Sequence, residues 1–281
     1  MTVPVIFNRK LVRYHRDRAA YHHETIQDIV QIGADRLLER LDDIQRSFTD
    51  VLEIGGRGVV APILQSKGMN VVSGDLSHRL VSINSAPSVC LDEEYLPFKA
   101  HSFDLVIANF NLHWVNDLPG SLLQIKNILR PDGLFLAAIP ILPTLSTLRD
   151  VMTEEEMELC GRAFPRISPF PDLRACATLM QRAGFALPVV DKEELSLVYR
   201  SAIALMQDLR FAGETNALME QQKTFTNKDF LASCITKLQD QDEIAVPLHF
   251  AVLTGWGPDS SQQQPLQPGQ FSVSLEDALK N

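Results

Sequence analysis

Chemistry can gather first in this chain at a glycine turn set directly behind an apolar run. Glu53-Ile54-Gly55-Gly56-Arg57-Gly58 follows Val51-Leu52, and Asp75 closes the next apolar run, Met69 to Gly74. Glycines at a strand-to-helix turn let the backbone approach a ligand with no side chain between them. An acid about 20 residues on, at the tip of the second strand, accepts hydrogen bonds from ribose hydroxyls. Asp75 has a competing use as the cap of a helix beginning near Ser77; spacing and strand context favour the ribose role. In Cys90-Leu91-Asp92-Glu93-Glu94-Tyr95-Leu96-Pro97-Phe98, Asp92 can accept from an adenine amino group while Leu91 packs on the ring. Asp92 reads equally well as a turn residue. Asn109-Phe110-Asn111-Leu112-His113-Trp114 ends a third apolar run, where open α/β sheets place ligands. His113 there is either a general base or substrate contact, or a packed structural histidine beside Trp114, and the packed role is favoured. No Ser-His-Asp triad, Walker loop or metal-ligand cluster assembles.

The elements that must position these residues follow from the hydrophobic pattern. Val51–Ile54, Met69–Asp75, Phe103–Ala108 and Leu134–Ile139 are continuous apolar segments of strand length, as expected for strands covered on both faces. A helix with Leu118, Leu122, Ile125 and Leu129 on one stripe opens at Asn116-Asp117 and closes at Arg130-Pro131-Asp132-Gly133. Strands alternating with helices make a parallel α/β sheet. Ahead of it, Ile26, Ile29, Val30, Leu37, Leu41 and Ile44 mark an amphipathic helix over about 24–44. Beyond Pro140 the expected order is a helix over 152–162, a proline-rich loop to Pro171 and a helix over 172–183. A strand over 194–199, helices over 201–210 and 228–239, and an apolar strand over 248–256 follow. The chain divides into an N-terminal helical segment (1–47), a main domain (48–257, with its core at 48–140 and a helical insertion plus last strands at 141–257), and a flexible tail (258–281) rich in Gln, Pro and Ser.

With 281 residues and a formal net charge of −9, the chain is an unpromising binder of nucleic-acid phosphates. Arg9, Lys10, Arg13, Arg16 and Arg18 form a basic stretch, read as a solvated helix face in preference to a basic arm or targeting remnant. The four cysteines lack any CxxC pair and fit a reducing compartment. No apolar run reaches membrane-spanning length and no secretory leader is evident, so a cytoplasmic or matrix-type protein is expected.

The glycine turn, Asp75, Asp92 before Leu96-Pro97-Phe98, Phe103-Asp104 and Asn127-Ile128-Leu129-Arg130-Pro131-Asp132-Gly133 resemble a class I S-adenosylmethionine (SAM) methyltransferase. A narrower likeness covers Phe7 to Trp256. Phe7-Asn8-Arg9, Asp92–Phe98, Leu112–Pro119, Ile167–Phe170 and Arg182–Phe185 resemble the methyltransferase-like assembly factors of respiratory complex I. The chain is also similar to the malonyl-acyl-carrier-protein methyltransferases of biotin synthesis.

The resemblance implies a Rossmann-like, doubly wound, mostly parallel seven-stranded sheet of order 3-2-1-4-5-7-6. It implies SAM as cofactor, held by Glu53, Gly55, Gly56 and Gly58, by Asp75 and Leu76, by Leu91 and Asp92, and by Asn109. It implies a protein substrate, a complex I subunit modified on an arginine, with at most peripheral membrane association. A non-catalytic assembly chaperone and the malonyl-thioester enzyme are the alternatives. The motif begins a few residues after Met1, which favours a bacterial cytoplasmic member over a precursor for the mitochondrial matrix. Arg57 stands where the family's second glycine is usual, unless the loop is one residue shorter and Gly56 and Gly58 take those places. In the first register its side chain would crowd the cofactor's amino-acid end and weaken or abolish SAM binding.

Overall fold

Leu105 and Ile107 turn to one face of the central strand and Val106 and Ala108 to the other, and all four are fully buried. Such a strand has to be covered twice. It is β4 (Phe103–Asn109) of a computed structural model that describes residues 4–223, 226–239, 243–263 and 277. Around it lie β1 (Asp50–Ile54), β2 (Asn70–Asp75), β3 (Ser88–Cys90), β5 (Leu129–Pro140), β6 (Ala186–Tyr199) and β7 (Ile244–Trp256). The sheet order is β3-β2-β1-β4-β5-β7-β6. The first five strands are parallel, and β7 runs antiparallel between β5 and β6. This is the mostly parallel sheet, in the order, that the resemblance implied.

Two helical layers cover the sheet. On the Leu105/Ile107 face, α2 (Gln27–Asp42) contributes Val30, Leu37 and Leu41, and α3 (Val60–Ser66) contributes Val60 and Leu64. On the other face, α5 (Leu118–Ile128) contributes Leu122 and Ile125, and α7 (Leu173–Ala183) contributes Met180. Each such side chain, fully buried, stabilises the fold by about 1.5–3 kcal/mol. Between β5 and β6 come α6 (Ser146–Cys160) and α7, and between β6 and β7 come α8 (Ala202–Ala212) and α9 (Lys228–Leu238). Leu148, Leu205, Leu238 and Val246 give α6, α8, α9 and β7 a smaller core of their own. Short α4 (His78–Ile83) follows β2.

The chain enters through α1 (Arg9–Ala19), capped by the Asn8 side chain, and a 3-10 turn over Ala20–Ile26 leads into α2. The helix expected over 24–44 is α2, which starts only at Gln27 because the 3-10 turn occupies residues up to Ile26; ahead of it His22 leaves helical geometry (φ −124°, ψ 17°) and kinks the entry. The 3-10 turn brings α1 back beside α8, and Phe7 pairs with Leu218 as an antiparallel bridge. Three other expectations need adjusting. Strand β5 begins at Leu129, through Arg130-Pro131-Asp132-Gly133, so the helix before it stops at Ile128. Strand β6 is longer than 194–199, and the half-exposed β3 is an additional strand. Of the tail expected from residue 258, positions 264–276 and 278–281 lie outside the described residues.

The order reverses between β1 and β4, which opens a crevice at the carboxyl ends of the strands. The candidate residues converge there.

Candidate functional site

The loop after β1 admits little but glycine at its start. Gly55 lies at φ +78° and donates its N–H to the Gly74 carbonyl at 2.7 Å, tying the loop to β2. A Cβ on Gly55 would stand 2.3 Å from the Asn111 amide, and one on Gly56 1.9 Å from Ser73 Oγ. Gly58 turns left-handed again at φ +77° before α3. Glycine is thus required at 55 and 56 by space and favoured at 58 by backbone. Glu53 sits beneath the loop and accepts from Ser73 Oγ at 2.7 Å. Burial pushes its carboxyl up to about 7, with the Ser73 and Ala61 bonds opposing.

Asp75, at the tip of β2, is 1% exposed. Its Oδ1 accepts from the Ser77 N–H at 2.6 Å. Its Oδ2 meets only distant donors, Arg16 Nη1 at 3.4 Å and Asn111 Nδ2 at 3.5 Å. The cap of α4 is Ser77, whose Oγ accepts from Leu80, so Asp75 does not cap that helix directly. Leu91 packs against the bare Cα of Gly74, next to Asp75.

Arginines from α1 close this rim. Arg16 is 2% exposed and forms an ion pair with Glu93, itself fully buried, while its Nη2 donates to the Asn111 carbonyl at 3.3 Å. Arg9 pairs with Glu93 as well, and donates to Asp92 Oδ1 at 2.7 Å and to the Trp114 carbonyl at 3.0 Å. Burial alone would raise the Glu93 carboxyl, but Arg16 and Arg9 outweigh it and hold it at about 2. At Asp75 burial wins and the pKa is raised, with Arg16 opposing. The basic stretch is therefore not a solvated face throughout. Arg9 and Arg16 lie about two turns apart on one side of α1 and point inward, because the rim offers them buried carboxylates.

A second set lies at the tip of β4. Phe110 takes a left-handed backbone (φ +47°), unusual for an aromatic residue. His113 is buried beside Trp114, as the favoured reading expected, but it is also hydrogen-bonded. Its Nε2 lies 2.9 Å from Glu214 Oε2, which accepts from Trp114 Nε1 at 3.0 Å too. Burial opposes ionisation of Glu214, and His113 and Arg57 more than offset it, lowering its pKa. The Arg57 side chain leaves the glycine loop and reaches Phe110 O and Ala212 O at 3.4 Å and Glu214 at 3.6 Å. Arg57, His113 and Glu214 line a cavity of about 110 Å³, walled chiefly by apolar side chains including Ile29, Val30, Leu209 and Leu248.

The structure thus gathers Glu53, Gly55, Gly56, Asp75 and Leu91 in one place. Three other expected cofactor contacts point elsewhere. The Asn109 amide donates to the Val30 carbonyl at 2.8 Å and anchors α2. Leu76 packs into the Phe7–Val12–Trp114 cluster, and Asp92 turns to Arg9. Sequence reasoning passed over Arg9, Arg16, Glu93 and Glu214. The first two had a signal in their seven-residue spacing, whereas Glu214 had none.

A methyltransferase-domain family model matches residues 21–188. The human protein "Arginine-hydroxylase NDUFAF5, mitochondrial" is 34% identical over 96% of this chain and 82% of its own. The chain is a methyltransferase-domain protein of the NDUFAF5 family. Another relative, the malonyl-[acyl-carrier protein] O-methyltransferase of Methylovorus, is 27% identical to this NDUFAF5-family chain over 95% of each. The YcgJ protein of Bacillus shares the fold, with a TM-score of 0.55 at 15% identity over 80% of this chain and 98% of its own. Among the described residues of this family member, no helix is long and apolar enough to cross a membrane.

Proposed function

We propose that this chain binds SAM at the β1–β2 rim and acts on an arginine of a protein partner in respiratory complex I assembly. The observation that carries the reading is the glycine-only approach at 55–56 beside a strand-tip carboxylate. The residues fit such a cofactor in kind. Oδ2 of Asp75 has no donor closer than 3.4 Å, which leaves it the capacity to accept from a ribose hydroxyl. Gly55 and Gly56 would let the backbone meet the ligand, and Leu91 would face the base. Because Asp75 is nearly inaccessible, the Arg16 side chain has to draw back before a ribose can reach it.

When bound, SAM supplies an activated methyl group. The chain's own part is positioning. Glu53 and Ser73 brace the loop, and Glu214 fixes the His113 ring with the proton on Nε2. The arginine specificity is taken from the name of the human relative, and the complex I role from the motif resemblance. The proposed compartment is the bacterial cytoplasm, or the mitochondrial matrix in a eukaryote.

Calorimetric titration of SAM into the wild type and Asp75→Asn tests the cofactor site. Loss of ten- to a hundredfold in the variant is expected, the size of a charge-assisted bond. No binding to the wild type at millimolar SAM would leave the second reading, a non-catalytic assembly chaperone, which the position of Arg16 over Asp75 favours. The malonyl-thioester alternative needs a basic groove for an acidic carrier. It is weakened because Arg9 and Arg16 turn inward, leaving Lys10 and Arg13 as the exposed cations of α1.

A further inference from the structure

Arg57 is a buried guanidinium with poor company. Its side chain is 9% exposed, and its contacts are two backbone carbonyls at 3.4 Å and Glu214 at 3.6 Å. A guanidinium carries five N–H donors, and bonds to a carboxylate normally close to about 2.7–2.9 Å. Burial lowers the Arg57 pKa, and Glu214 only partly offsets it. The acids around it are better supplied. Glu214 Oε2 takes bonds from both His113 and Trp114, and Asp208 takes one from the Tyr199 hydroxyl. The unmet demand in this cavity is therefore for an acceptor.

Apart from Thr144, Tyr199 and Asp208, the remaining walls are apolar. Ile26, Ile29, Val30, Leu209 and Leu248 surround a space of about 110 Å³, room for several water-sized bodies but with few polar groups to hold them. An apolar chamber with one under-bonded cation fits an amphiphilic anion: hydrocarbon against the aliphatic walls and a planar carboxylate against the guanidinium fork.

We propose that this cavity is a second binding site, taking a small apolar molecule with one carboxylate that pairs with Arg57. Arg57 springs from the glycine loop, but the walls that would take the hydrocarbon, Ile26, Ile29, Val30, Leu209 and Leu248, lie apart from Asp75, so the assignment does not require the cofactor reading. A carboxylate could also come from the amino-acid end of an adenosyl cofactor, so the test separates the two sources.

The probe is sodium octanoate, followed by calorimetry and by Trp114 fluorescence, with octanol and octylamine as uncharged and cationic counterparts. Octanoate is expected to bind at least tenfold more tightly than octanol. Arg57→Met is expected to remove that preference and to leave octanol within about twofold. Binding is expected to persist in saturating S-adenosylhomocysteine. Leu209→Trp, which fills the chamber and leaves the guanidinium in place, is expected to abolish binding of both acid and alcohol, and it serves if Arg57→Met does not fold. The proposal is overturned if octanol or octylamine binds as well as octanoate, or if Leu209→Trp binds octanoate like the wild type. Displacement of octanoate by S-adenosylhomocysteine would overturn it too, by assigning Arg57 to the cofactor.

Discussion

Two buried arginines stand on the same rim and live in opposite circumstances. Arg16 reaches across from α1 to Glu93 and Asp75, and its charge is matched by carboxylates delivered on the tips of β2 and β3. Arg57 springs from the glycine loop itself and finds carbonyl oxygens and one shared carboxylate, all at long range. A matched buried charge fastens one part of a fold to another, whereas an undermatched one is a place where a ligand gains by arriving. The contrast separates the device that holds the N-terminal helix from the group free to recognise something.

The largest effect expected from this contrast is on stability. Arg16→Met leaves Asp75 without its cation and Glu93 with only Arg9, and a broken buried pair costs about 3–5 kcal/mol. Arg57→Met removes no short bond and should cost about 1 kcal/mol or less. Urea midpoints of the two variants decide the matter, and equal losses would erase the distinction.

A second, smaller effect is on pH dependence, and its two limbs have opposite signs. The folded Glu93 carboxyl, at about 2, lies below its ordinary value near 4.5, so the stability it contributes is present above pH 4.5 and drains away towards pH 2. Arg16→Met should flatten that acid limb. The folded Glu53 carboxyl, at about 7, is raised instead. Its contribution is complete below pH 4.5 and is lost as pH climbs to 7. Glu53→Gln should therefore hold its stability between pH 5 and 8 where the wild type declines. Thermal midpoints across pH 2–8 would show both limbs.

The smallest expected effect calibrates the others. Arg36 and Glu39 pair at 2.8 Å on α2, but the side chains are 43% and 60% exposed. Arg36→Ala should shift stability by no more than about 0.5 kcal/mol. A loss comparable to that of Arg16→Met would mean that burial is not what distinguishes these pairs.

The physics of burial explains what could be read in the sequence. β4 and the core of β5 are uninterrupted apolar runs because both faces are covered, so the parallel sheet was legible, while its strand order came from the family resemblance. Strand β6 was legible only over 194–199, since it is an edge strand and Asp191-Lys192-Glu193-Glu194 in its middle look like a loop. At the site, Gly55, Gly56 and Asp75 announced themselves by local spacing. The partners of Arg16 and Arg57 did not. A basic run looks solvated until carboxylates about 60 to 160 residues away fold over it, and no periodicity encodes that meeting.

The bridge between Phe7 and Leu218 carries a consequence for the order in which the protein takes shape. Asn8 donates to the Ala217 carbonyl and Arg18 to Thr215, so the first helix binds a segment made some 200 residues later. On a ribosome the five parallel strands and their covering helices can consolidate first, since their contacts are comparatively near in sequence. Until residues 215–218 emerge, the opening helix has only its pairs with the rim carboxylates to hold it. Helix α1 is thus fully seated late, and the rim it covers is closed completely only once residues 215–218 have been made.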